Sequence, residues 1–115
     1  MLWSPSKDFV EQANLSHFER WLRENKKLSF DGYHELWKWS VDNPNNFWES
    51  VWQYFDILHD GRYHSVREGE TVFDASWFEG IRLNYAEHIF RNFTAERPVI
   101  VYKTESSGIQ EMSWG

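Results

Sequence analysis

The chain has 115 residues, with 12 Lys and Arg against 18 Asp and Glu, for a formal charge of −6. That length fits one domain, or one domain with a fragment of a second. The acidic balance argues against a nucleic-acid surface, which needs clustered cations, and no apolar run approaches the ~18 residues of a membrane span. Lys7, Asp8 and Glu11 stand where a secretion signal needs its apolar stretch. Without cysteine there is no disulfide, thiol nucleophile or thiolate metal site, and the expected compartment is the cytoplasm.

The apolar composition is dominated by rings: 8 Trp, 9 Phe and 5 Tyr. Each buried aromatic removes on the order of 150–250 Å² from water, more than a small domain easily hides. Part of this surface is therefore expected to meet something outside the chain.

Ser4-Pro5-Ser6 opens a first short helix over Lys7–Ala13, since serine caps a helix well and proline costs nothing in its first turn. A second helix is expected from Leu15 to about Glu24, with Asn14 as cap and Leu15, Phe18 and Leu22 on its buried side. Asp31 is the expected cap of a third, Gly32 to Val41. Its apolar face takes Tyr33, Leu36, Trp37, Ser40 and Val41, with Trp39 lying off it. Asn43-Pro44 stops that helix and starts a fourth, about Asn45 to Leu58. The fourth holds Phe47, Trp48, Val51, Trp52, Tyr54, Phe55 and Leu58, and only Glu49, Ser50, Gln53 and Asp56 as a polar stripe. A helix apolar over most of its girth wants burial on more than one side.

From His59 to Ala75 no helical period holds. Asp60-Gly61 marks a turn, Glu68-Gly69-Glu70 a loop, and Val66 and Thr71-Val72-Phe73 short extended pieces. A fifth helix is expected from Gly80 to about Asn92. Then Pro98–Lys103, the turn Ser106-Ser107-Gly108 and Ile109–Trp114 read as a β-hairpin. The chain stops within or just after that second strand, as a truncated domain would.

Few residues invite chemistry. None of the five histidines lies at i, i+4 from another, so no zinc-like cluster is expected. Glu68, Glu70 and Asp74 beside Trp77 could be drawn as a glycosidase pair with a sugar platform, but sequence does not fix the separation that mechanism demands. The glycines are scattered singly, without a phosphate-cradling run or a nucleophile elbow.

Two stretches carry a resemblance. Leu36-Trp37-Lys38-Trp39-Ser40-Val41, continued by Phe47-Trp48 and Val51-Trp52, is the first; Trp77-Phe78-Glu79-Gly80-Ile81-Arg82-Leu83-Asn84-Tyr85-Ala86-Glu87 is the second and more specific. Together they resemble the N-terminal region of the acetyl-CoA synthetase type of acyl-CoA ligases, adenylate-forming enzymes, over about Trp3 to Trp114. The wording is most similar to the acetoacetate-activating branch. Glu79 and His88 stand where that pattern has Pro and Asn.

The resemblance implies a family that activates an acid with ATP and Mg²⁺ as an acyl-adenylate, releasing pyrophosphate, then passes the acyl group to coenzyme A. It implies an α+β, mainly helical piece: about five short helices forming a cap over residues 1–96, then residues 97–115 as the first hairpin of the AMP-binding domain. Phosphate loop, nucleotide contacts and catalytic lysine would lie past residue 115. No catalytic, cofactor-binding or metal residue is therefore assigned within the chain, and ATP, Mg²⁺ and coenzyme A are implied for the full-length enzyme alone.

The motif residues Trp77, Phe78, Gly80, Leu83, Asn84, Tyr85, Ala86 and Glu87 are given structural roles. Trp77 and Phe78 act as wedges, Gly80 allows a tight backbone approach to the fifth helix, and Asn84 and Glu87 bond across the contact with the adenylating domain. The expected partner is the remainder of the same polypeptide, with no nucleic acid and no membrane. The isolated fragment is expected to be inactive and to self-associate through its orphaned aromatic surface. The alternative is a stand-alone aromatic-rich helical module binding a peptide or carbohydrate.

Overall fold

The computed structural model describes residues 4–114; Trp3, where the resemblance opens, and Gly115 lie outside them. The described residues are helical with two small antiparallel strand pairs. It divides into two compact units, one of residues up to 57 with 63–79, the other of 58–62 with 80 onward. The polypeptide therefore passes between the units three times, after Ile57, Arg62 and Glu79.

In the first unit, α1 (Lys7–Glu11) begins where Ser6 accepts a hydrogen bond from the Phe9 amide at 3.2 Å, the expected serine cap. Helix α2 (Asn14–Lys26) starts one residue earlier than expected, with Ala13 rather than Asn14 at the cap. It ends at Lys27, whose φ of 58° lets the Lys27 and Leu28 amides close on the Leu22 carbonyl. Helix α3 (Tyr33–Asp42) is capped by Gly32, not Asp31. The Asp31 backbone amide, one residue before the cap, instead donates to the Glu35 carboxylate of the first turn at 2.6 Å. Helix α4 (Pro44–Tyr54) opens on proline and stops at Tyr54, short of the expected Leu58.

The core of this unit is Phe18, Leu22 and Leu36, with Trp21, Leu28, Phe30, Trp39, Phe47, Val51 and Tyr54 packed around it. Rings supply the cement: Phe18 meets Tyr54 at 5.1 Å and Trp39 meets Phe47 edge-on at 5.9 Å. The α3 face differs from the expectation. Trp39 and Leu36 turn inward, while Tyr33, Trp37 and Val41 stay exposed. Both sides of α3 carry rings, so periodicity alone does not choose between them, and packing on α4 does.

After α4 a short ribbon forms, β1 (Arg67–Glu68) with β2 (Ser76–Trp77), antiparallel with Arg67 opposite Trp77. The expected extended piece at Thr71-Val72-Phe73 is instead the turn joining them, and Glu68, expected in a loop, is in β1.

In the second unit, Asp60 and Arg82 exchange backbone hydrogen bonds of 3.0 and 2.9 Å. Helix α5 (Tyr85–Phe90) comes next, five residues later than the Gly80 start expected from the sequence. Strands β3 (Ile100–Tyr102) and β4 (Gln110–Met112) then form the expected hairpin, Ile100 opposite Met112.

Candidate functional site

The family motif falls on the ribbon and the lead into α5, and its residues divide between the two units. In the first unit, Phe78 stacks on Trp52 of α4 at 4.4 Å and meets Tyr63 edge-on at 5.2 Å. Its amide donates to the Val66 carbonyl at 2.9 Å, which brings the buried Val66 under the ribbon. Phe78 is partly buried there, held at a φ of 48° that a non-glycine residue adopts only under local constraint. Trp77 is less buried: it meets Trp48 of α4 at 5.8 Å, the Arg67 guanidinium lies 6.0 Å over its ring, and it stays nearly half exposed.

The polar stripe expected on α4 is split: Gln53 and Asp56 are exposed, whereas Glu49 and Ser50 turn away from solvent. Ser50 is 2% exposed and its hydroxyl donates to the Asn46 carbonyl at 2.7 Å. Glu49 accepts from the Tyr63 hydroxyl at 3.1 Å. Burial, and then the Glu49 carboxylate beside it, push the Tyr63 phenol above its ordinary value. A raised phenol value means that the neutral, hydrogen-bonded form stabilises the fold below about pH 10, and this contribution is lost as pH rises further. Tyr63→Phe is expected to cost about 0.5–1.5 kcal/mol at pH 7. The difference from the parent chain should shrink in urea titrations carried out well above pH 10.

In the second unit, Gly80 has a φ of 94°, and a Cβ there would lie 2.7 Å from the Arg62 carbonyl oxygen. Gly61 faces it, with its own Cβ position against the Gly80 carbonyl. This close backbone approach lies beside the Asp60–Arg82 bridge rather than in the first turn of α5. Asn84 is the N-cap of α5, its side chain accepting from the Glu87 amide at 3.2 Å. Glu87 sits exposed in the first turn, where a carboxylate suits the helix dipole. Leu83, Tyr85 and Ala86 are exposed as well. His88 Nδ1 accepts from the Leu58 amide at 3.2 Å, tying α5 to the segment ahead of the bridge.

The candidate carboxylates do not form a pair aimed at a cleft. Asp74 folds back on its own loop, accepting from the amides of Glu70 (3.3 Å) and Thr71 (2.7 Å) and from the Thr71 hydroxyl. These bonds, the Thr71 hydroxyl first, hold its carboxyl below the usual range. Glu68 accepts from the Ser65 hydroxyl at 2.9 Å. Among the described residues no three His, Asp or Glu side chains converge to hold a metal ion. No helix among them is long and apolar enough to cross a membrane.

Residues 33–89 match the family described as acetyl-coenzyme A synthetase N-terminus. The matched stretch runs from the start of α3 into α5, and there the chain is similar to the N-terminal segment of acetyl-coenzyme A synthetases. Over nearly its whole length the chain is similar to acetoacetyl-CoA synthetases. It is 27% identical to that of Rhizobium meliloti across 98% of this chain and 17% of the relative. The solved structure of acetoacetyl-CoA synthetase from Streptomyces lividans matches with a TM-score of 0.85 at 33% identity, across 98% of this chain and 18% of that one. A malonamoyl-CoA synthetase of Penicillium aethiopicum is 33% identical over 69 residues, 56% of this chain and 10% of the relative. The chain therefore spans less than a fifth of the length of the proteins it matches.

Proposed function

We propose that this chain is the N-terminal segment of an acetoacetate–CoA ligase, a non-catalytic cap that completes the adenylating domain of the parent enzyme. That enzyme would join acetoacetate to coenzyme A, consuming ATP and releasing AMP and pyrophosphate, with Mg²⁺ offsetting the phosphate charge. The observation that carries the reading is the match to the Streptomyces lividans enzyme over 98% of the chain. The fold adds a physical reason. Trp37 in the first unit, and Tyr85, Phe90 and Phe93 in the second, stay exposed, apolar area of the kind a neighbour covers. The hairpin β3–β4 is the start of the adenylating domain in this reading. A lone pair of strands is marginal in water and gains from further neighbours.

The test is a graft. The Streptomyces lividans enzyme, with its matching segment replaced by this chain, should form AMP from ATP, acetoacetate and coenzyme A, and the chain alone should form none. A grafted enzyme that folds but does not turn over, or turnover by the isolated chain, overturns the proposal. Binding of an oligosaccharide by the isolated chain would instead favour a free-standing module.

A further inference from the structure

The least covered large apolar side chains of the described residues are neighbours: Val72 is 92% and Phe73 101% exposed. They occupy the tip of the β1–β2 ribbon, and that tip is not slack. The Asp74 carboxylate gathers the Glu70 and Thr71 amides and the Thr71 hydroxyl, whose oxygen also accepts from the Phe73 amide at 3.3 Å. Gly69, at a φ of 88°, lies so close to the Asp74 carbonyl that no side chain fits there. The root of the ribbon is fixed on α4 by Phe78 on Trp52 and Trp77 against Trp48. Two apolar side chains are thus held out in water on a preformed turn whose backbone is fixed on both sides. Such pre-organisation lowers the entropy lost on docking and favours a protruding anchor that enters a pocket.

We infer that Val72 and Phe73 are a docking knob that seats in an apolar, basic-rimmed pocket on the remainder of the ligase polypeptide. The inference rests on the ligase-segment reading. Two observations choose this occupant. In the Streptomyces lividans enzyme the matched region is 18% of the chain, so most of that polypeptide lies outside it and is available as a neighbour. The collar around the knob is acidic, with Glu68, Glu70 and Asp74 against Arg67 alone. It is complementary to cationic side chains, whereas a second copy of this chain would bring the same collar and a formal charge of −6.

The experiment places a photo-crosslinking residue at position 73 of the grafted enzyme and maps its products by mass spectrometry. Expected is an intramolecular crosslink to a peptide outside the grafted segment. In parallel, Phe73→Ser should lower the thermal midpoint of the grafted enzyme by several degrees and leave that of the isolated chain unchanged, because there the ring touches only water. Glu70→Lys should lower the midpoint of the grafted enzyme less at high salt than at low salt. A crosslink to a second copy, no crosslink at all, or equal effects of Phe73→Ser in both proteins overturns the inference. If the grafted enzyme turns over but residue 73 captures nothing, the knob is wrong and the ligase reading survives. If it folds without turnover, the ligase reading fails and takes the knob with it.

Discussion

Leu22→Ala is expected to be the most damaging single substitution in the first unit. Leu22 is wholly shielded from water, between Phe18 and Leu36, and its carbonyl also receives the amides that end α2. Truncation removes buried methyl groups and leaves a cavity walled by rings that cannot easily close it, a cost of about 2–5 kcal/mol. Small domains hold only about 5–15 kcal/mol in total, so much of the cooperative transition should be lost. Urea unfolding tracked by tryptophan emission would show it, because Trp21 and Trp39 pack around the same core. Leu22→Met keeps the volume and should cost less than about 1.5 kcal/mol. Equal losses for the two variants would mean that the cavity is not what matters.

Gly80→Ala is the second large effect, and it should be felt in the other unit. The left-handed backbone there strains any L side chain, and the new Cβ would lie 2.7 Å from a backbone oxygen that cannot rotate away. We expect a cost of about 1–3 kcal/mol. The signature is local: the Asp60 and Arg82 amides, which close the bridge, should exchange hydrogen faster, while amides of α2 keep their rates. Unchanged exchange at Asp60 and Arg82 would refute the geometric account of this glycine.

The sequence makes some of this fold legible and hides the rest for identifiable reasons. The Ser6 cap and the Pro44 helix start depend on neighbours a few residues away, so the letters suffice. The β3–β4 hairpin is readable because a compact apolar run is succeeded by a turn and a return strand. The β1–β2 ribbon is not, since two-residue strands carry no alternation and are held by rings of α4 distant in sequence. Trp39 and Trp37 exchange their expected places because both flanks of α3 are aromatic and only the position of α4 breaks the tie. A glycine before an apolar period resembles a helix boundary, which is why Gly80 suggests the start of the fifth helix. Its backbone is needed by the bridge to Asp60 instead, and Asn84 supplies the cap. The Tyr63–Glu49 bond and the Asp74 turn escape the sequence, although Thr71 and Asp74, three residues apart around a loop, are a signal for the latter.

The three passages of the chain between its compact units bear on how it can be dissected. No single protease cut yields one unit as a continuous peptide, because residues 63–79 belong with the stretch up to 57 while 58–62 belong with the residues from Gly80 onward. A peptide ending at Ile57 would strip Trp48 of the Trp77 ring and Trp52 of the Tyr63 and Phe78 rings that lie against them. The halves of this molecule are spliced rather than strung, and a shortened version that respects its architecture must be rejoined across the bridge, not simply clipped.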